Sequence, residues 1–488
     1  MVVFRPAAAT CLALLASVFL APALSADPTL PSVFGDHAVL QRDQPIAVWG
    51  RADPGERLTV RLARRSASTV TGEDGRWRVE LPAFQAGGPH VLSVKGRTTI
   101  RLEDILVGDV WIASGQSNMA WPVKASNDAK AEIQAADHPR IRLFTVPRRT
   151  ALEPQHDVPG TGWHACSPET VGTFSAVAYY FGRELHRELG VPIGLVHTSW
   201  GGTPAEAWTP EATIRADATL AVLIDDWTRR MEAARAKNGK DLSRHHHRPG
   251  NLWRGMVAPL VGLSAQGVIW YQGESNAGRA WQYRTLFPAM IEAWREAWAR
   301  PDLPFHFVQL ANFRAVKEEP GDSAWAELRD AQLHTLRTVP HTGMAVAIDI
   351  GQADDIHPRN KQDVGRRLAR WALHAQHGKS LVPSGPLYRD HAVDGAAVRI
   401  RFDHVGAGLA ARDGEVLHGF TIAGEARVFV RATARIEGGA VVVSSPDVPA
   451  PVAVRYAWAD NPVCNLVNAD GLPASPFRTD DWRLTTQR

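Results

Sequence analysis

The chain has 488 residues, 45% of them hydrophobic and 22% charged, with a formal net charge of +3. That length exceeds one compact core and implies two or three domains. The near-neutral charge argues against a nucleic-acid partner, because the densest basic cluster, Arg244-His245-His246-His247-Arg248, is short and reads as a solvated loop.

Residues 1–26 read as a signal peptide. Arg5 supplies the positive start, Ala7 to Leu20 the apolar stretch, and Ala23-Leu24-Ser25-Ala26 the small residues for cleavage before Asp27. The expected product is periplasmic or secreted, and free of the membrane once cleaved, since no second apolar run reaches spanning length. Cys11 goes with the signal segment, whereas Cys166 and Cys464 stay, and their pairing is left open.

Residues 27–104 predict a small β-sandwich-like domain. Ile46 to Trp49, Leu58 to Leu62 and Val91 to Val94 are short strand-like runs, punctuated by Pro54-Gly55, Asp74-Gly75 and Gly87-Gly88-Pro89. The texture changes at Ile105. From there to residue 382, nearly continuous apolar runs alternate with helical patterns, which predicts a doubly wound α/β domain with a parallel sheet. The runs are Ile105 to Ala113, Ile193 to Thr198, Gly267 to Tyr271, Phe305 to Leu310 and Met344 to Ile350. Helical spacing links Phe174, Val177, Phe181, Leu185 and Leu189, and again Tyr283, Leu286, Met290 and Trp294. Period-two patterning returns in residues 383–488, where Val398, Ile400 and Phe402 alternate with Arg399 and Arg401, and predicts a second β-rich region.

Open α/β sheets build their sites at the carboxyl ends of strands. Four polar motifs lie at such ends. Gly115-Gln116-Ser117-Asn118-Met119 offers a serine on a tight turn. Ser199-Trp200-Gly201-Gly202-Thr203-Pro204 offers backbone N–H groups that can approach a ligand closely. Gln272-Gly273-Glu274-Ser275-Asn276 offers side-chain amides. Asp354-Asp355-Ile356-His357-Pro358 offers an imidazole with an acid two or three residues earlier, and Pro358 suits the first turn of a following helix. A nucleophilic serine needs a base of this kind, and the base needs a group that fixes its tautomer. No Cys/His cluster has zinc-like spacing, so no metal is expected. Seventeen Trp suit stacking on sugar rings, although most Trp in proteins are core.

These motifs, with Trp270-Tyr271 before the third, resemble the sialate O-acetylesterase family of the SGNH hydrolase superfamily. Val39-Leu40-Gln41-Arg42, Phe174-Ser175-Ala176-Val177 and Gly471 to Thr479 extend the likeness over most of the chain. The resemblance implies a flavodoxin-like SGNH core, no cofactor, and an acetylated sugar or polysaccharide as substrate. It implies Ser117 as nucleophile and His357 as base. Asp355 is favoured over Asp354 as orienting acid. Oxyanion donors would be the N–H groups of Ser117 and of Gly201 or Gly202, plus an amide from Gln272 or Asn276, with Gln272 favoured. Gln116, Asn118, Glu274 and Arg254 are expected substrate contacts; Arg254 stands where the family often has Asn. Sialic acid and plant hemicellulose both fit as the acetylated sugar. A non-catalytic sugar-binding protein on the same fold is the alternative. A general α/β-hydrolase is disfavoured because Met119 stands where Gly-x-Ser-x-Gly needs its second glycine.

Overall fold

The computed structural model describes residues 1–3, 27–158, 160, 162–414 and 416–487. Apart from residues 1–3, the expected signal segment lies outside the described residues. No helix among them is long and apolar enough to cross a membrane.

The N-terminal region contributes seven strands. They are β1 (Val39–Gln41), β2 (Ile46–Arg51), β3 (Arg57–Leu62), β4 (Arg65–Val70), β5 (Arg76–Leu81), β6 (Gly87–Lys95) and β7 (Thr99–Gly115). Their burial alternates, as in β5, where every second residue is buried, so one face packs inward and the other meets solvent. The last strand spans both regions. Its first half pairs antiparallel with β6. Its second half, fully buried from Ile105 on, forms the centre of the main sheet.

That sheet adds β8 (His138–Thr145), β9 (Trp163–Cys166), β10 (Ile193–Ser199), β11 (Gly267–Tyr271), β12 (Phe305–Gln309) and β13 (Thr342–Val346). The order is β13-β12-β11-β7-β10-β8-β9, parallel throughout except for the final β8–β9 pair. Register shows that both faces are covered. Gly267 pairs with Trp111 and shares its face, so Trp270, three residues on, points to the other. Trp111 meets Phe181 of the helix Ala176–Leu189, while Trp270 meets Phe287 and Trp294 of the helix Ala280–Ala297. This is the doubly wound α/β arrangement that the apolar runs predict.

β13 is shorter than the expected Met344 to Ile350 run, because it ends at Val346, opposite the last residue of β12, and Ala347 to Ile350 form a turn. The helix that follows runs Lys361–Ala375 and is capped by Asn360, whose side chain accepts the Asp363 N–H. Pro358 therefore precedes the cap instead of filling the first turn.

Residues from Leu387 onward form antiparallel sheets, one of them Leu387–Asp394, Ala397–Asp403, Ala440–Ser444 and Thr433–Glu437. This region docks on the core through the fully buried Arg329. The Arg329 guanidinium donates to the carbonyls of Leu310 and Ala311 on the core side and of Ala459 and Asp460 on the other. Burial pulls its pKa down to about 9, and the four carbonyls take four of its five N–H donors. Cys166 and Cys464 are both free thiols.

Candidate functional site

Four loops converge at the carboxyl edge of the main sheet. β7 ends at Gly115, whose φ is +137°. A Cβ there would lie 2.2 Å from the Tyr271 carbonyl oxygen, so only glycine lets β11 pass this close. Gln116 N–H donates to that same carbonyl at 2.9 Å and fixes the turn. Ser117 then opens the short helix Ser117–Ala120. It is half-buried, and its Oγ makes no hydrogen bond among the described residues. Its N–H, in the first helical turn, has no intrahelical partner.

The glycine turn after β10 folds over the serine. Trp200 N–H donates to the Gly115 carbonyl at 3.1 Å. A Cβ on Gly201 would sit 3.2 Å from Ser117 Cβ, so this backbone lies directly against the serine. Gly202 has φ +73° and open space around its α-carbon.

The third loop is welded to the second by buried amides. Asn276 Oδ1 accepts from Ala205 N–H at 2.9 Å and from Gln272 Nε2 at 2.6 Å, while Asn276 Nδ2 donates to Glu206 at 3.0 Å. Gln272 Nε2 also donates to the Thr203 carbonyl at 3.3 Å, and its Oε1 accepts from Tyr283 at 3.0 Å. Both Gln272 amide protons are therefore directed at the Thr203 carbonyl and Asn276. Asn276 retains one uncommitted proton. Gln116 is buried, and its Oε1 accepts from Gly273 N–H and Ser275 N–H, each at 3.4 Å.

The histidine loop reaches the serine loop through Asn118. Asn118 Nδ2 donates to the Ile356 carbonyl at 3.0 Å, so the residue after Ser117 holds the residue before His357. Trp121, one helical turn past the serine, stacks on the His357 ring with centroids 5.0 Å apart and planes 12° apart. Asp355 Oδ1 accepts the His357 backbone N–H at 2.8 Å and lies 3.4 Å from Nδ1. Asp354 is exposed. Burial holds the His357 pKa below the usual histidine range; Asp355 opposes the shift and Lys361 adds to it.

Behind these loops lies a buried polar cluster. Lys361, fully buried, donates from Nζ to Asn118 Oδ1 at 2.5 Å and sits 5.4 Å from the Tyr271 ring centroid and 5.9 Å from that of Trp121. Asn118 donates its second amide proton to Glu274 Oε1 at 2.6 Å. Burial drives the lysine down to about 7 and the glutamate upward. Glu274 Oε2 and the Tyr271 hydroxyl are buried without hydrogen-bond partners among the described residues. Asn118 and Glu274 thus brace the loops together, where the sequence suggested substrate contacts. Arg254 is likewise committed: its guanidinium donates to Glu211 at 2.6 Å.

Three features escaped the sequence reading. Lys361 and Trp121 carry no motif signature. The histidine run is packed, not merely solvated: His246 stacks on Trp200 at 5.0 Å and 1°, and His247 lines a cleft with Gly202 and Trp227.

A serine turn and an aspartate–histidine loop meeting at the open edge of a parallel sheet, with β-domains attached, mark a carboxylic ester hydrolase of the SGNH type. The family model described as a carbohydrate esterase, sialic acid-specific acetylesterase, matches residues 107–374. Rat sialate O-acetylesterase is 32% identical over 409 residues, covering 73% of this chain and 75% of the relative. The human sialate O-acetylesterase is 32% identical over 397 residues, covering 73% and 72%. A solved carbohydrate acetylesterase from Xanthomonas citri superposes with a TM-score of 0.85 at 43% identity, covering 93% of this chain and 100% of the other. The chain belongs to the sialic acid-specific acetylesterase family of carbohydrate esterases.

Proposed function

We propose that the protein is an exported O-acetylesterase that removes acetyl groups from sialic acid through an acyl-enzyme. The observation that carries this reading is the bond from Asn118 to the Ile356 carbonyl, with Trp121 stacked on His357, because it draws the serine and histidine loops into one site.

Ser117 Oγ attacks the acetyl carbonyl carbon while His357 takes the hydroxyl proton. The oxyanion is held by the N–H groups of Ser117 and of Gly201 or Gly202, with Asn276 as the third donor. The tetrahedral intermediate collapses, the C–O bond to the sugar breaks, and His357 returns the proton to the sugar oxygen. Water, deprotonated by His357, then attacks the acetyl-serine and releases acetate and free Ser117. Asp355 orients the imidazole and stabilises its cation. Export follows from the apolar segment before Asp27, and the working compartment is the periplasm or the exterior.

The test is acetate release by the purified protein from O-acetylated sialic acid and from acetylated xyloglucan or xylan. Preference for the sialate is expected; preference for the hemicellulose would redirect the substrate and leave the chemistry standing. Ser117→Ala should lower kcat on the order of 10⁵- to 10⁶-fold with an unchanged fold. Full activity in that variant would refute the nucleophile.

A further inference from the structure

A cavity of about 520 Å³ lies away from the serine, between the β2–β5 sheet and the catalytic region. Its walls combine two features that single out a ligand class. One is aromatic: Trp49 is half-buried on the sheet face that also carries Arg51, Arg76 and Arg78. The other is cationic. In the antiparallel register of β2 and β5, Arg51 lies opposite Arg76, and Trp49 lies opposite Arg78. Like charges directly across a strand pair destabilise it, so this pairing costs stability that an anionic ligand would recover.

The neighbouring acids leave guanidinium donors of the wall open. Asp74 lies 3.5 Å from Arg76, and Glu80 lies 3.3 Å from Arg78, both as exposed pairs of the weak kind. Arg51 donates to the Asp74 backbone carbonyl at 3.3 Å. Asp157, also on the wall, accepts from Ser32 N–H at 2.8 Å and Ser32 Oγ at 3.3 Å. His156 lies 2.5 Å from Arg76 Nη2, and burial together with the nearby arginines holds its pKa below the usual histidine range. The guanidinium groups of Arg51 and Arg76 keep donors for a carboxylate.

One segment connects this cavity to the esterase site. Arg148 lies over the Trp200 ring at 5.9 Å, beside the glycine turn. From there the chain is pinned by Ala151 N–H to Asn251 at 3.2 Å and by Gln155 N–H to Arg254 at 2.9 Å, and it reaches the cavity at His156.

We infer that the cavity binds a carboxylate-bearing oligosaccharide, with a sugar ring on the Trp49 indole and a carboxylate held between Arg51 and Arg76. Such a site grips an acidic glycan chain while its acetyl groups are presented elsewhere on the protein.

The test is calorimetric titration of the full chain carrying Ser117→Ala with oligogalacturonate and, separately, with neutral cellohexaose at low salt. The inactive variant makes binding independent of the esterase reading, so the two can fail separately. Oligogalacturonate should bind and cellohexaose should bind at least tenfold more weakly. Trp49→Ala and Arg76→Gln should each weaken oligogalacturonate at least tenfold while leaving 4-nitrophenyl acetate turnover, measured with Ser117 intact, unchanged. Arg76→Gln lies on the exposed face, so it tests the site even where Trp49→Ala destabilises the sheet. No binding of oligogalacturonate, equal binding of the neutral chain, or undiminished binding by Arg76→Gln would overturn the proposal.

Discussion

Replacing Lys361 by Met tests whether the buried cation is as strained as its surroundings imply. The ordinary lysine value is 10.5, and burial lowers it to about 7 in the folded chain. A depressed value on a cation means that the folded state holds the proton less tightly than the unfolded state. Between these two values the unfolded chain binds more protons, so the lysine's contribution to stability rises with pH across that window. The full span is about 5 kcal/mol at about 1.4 kcal/mol per pH unit. From pH 7 to pH 9 the share realised is about 2 kcal/mol. Lys361→Met removes this dependence. It also takes from Asn118 Oδ1 the donor that Lys361 Nζ supplies in either protonation state, at a cost of roughly 1–3 kcal/mol. The assay is urea unfolding of both proteins at pH 7 and pH 9. The stability gap between wild type and Lys361→Met should widen by about 2 kcal/mol over that interval. A gap that stays constant with pH would show that the lysine titrates normally, and the reasoning from burial would be refuted.

Other expectations can be checked with simple means. Because burial lowers His357 below the usual histidine range, and the base must be neutral, kcat should rise with pH through a midpoint under 6.5; a midpoint above 7 would contradict this. Asp355→Asn should reduce kcat at least about 100-fold and Asp354→Asn only a few fold, because Asp355 alone lies against the imidazole; the reverse ranking would reassign the acid. Burial pushes Cys166 up to about 12 and Cys464 to about 11. Neither thiol should react with a disulfide reagent in the native protein, and both should react in denaturant.

Much of this was legible before any coordinates, for identifiable reasons. Parallel strands covered on both faces must be apolar throughout, so Gly267–Tyr271 and Ile193–Ser199 stood out almost to the residue. The loops that follow such strands are also where chemistry-bearing side chains collect, which singled out Ser117 and His357. Edge strands were harder: Arg65–Val70 has no buried residue, and its polar surface hid it. Roles within the site were hardest of all. Asn118, Glu274 and Gln272 are polar residues in loops, and sequence alone cannot say whether such an amide points at a ligand or at another loop. Lys361 falls in the first turn of a helix, where a lysine normally projects into water; only the packing of Tyr271 and Trp121 around it reveals its burial.

The continuity of β7 has a practical consequence for protein engineering. Cutting the chain at residue 105 would not release a self-contained hydrolase. It would remove residues 99–104 of β7, strip away β6, and discard β1, which pairs Val39 with Leu106 and Gln41 with Gly108. The beam that carries Ser117 at its far end would be left with a frayed root. A chimera that exchanges the N-terminal region must therefore carry β1, β6 and the whole of β7 across as one block.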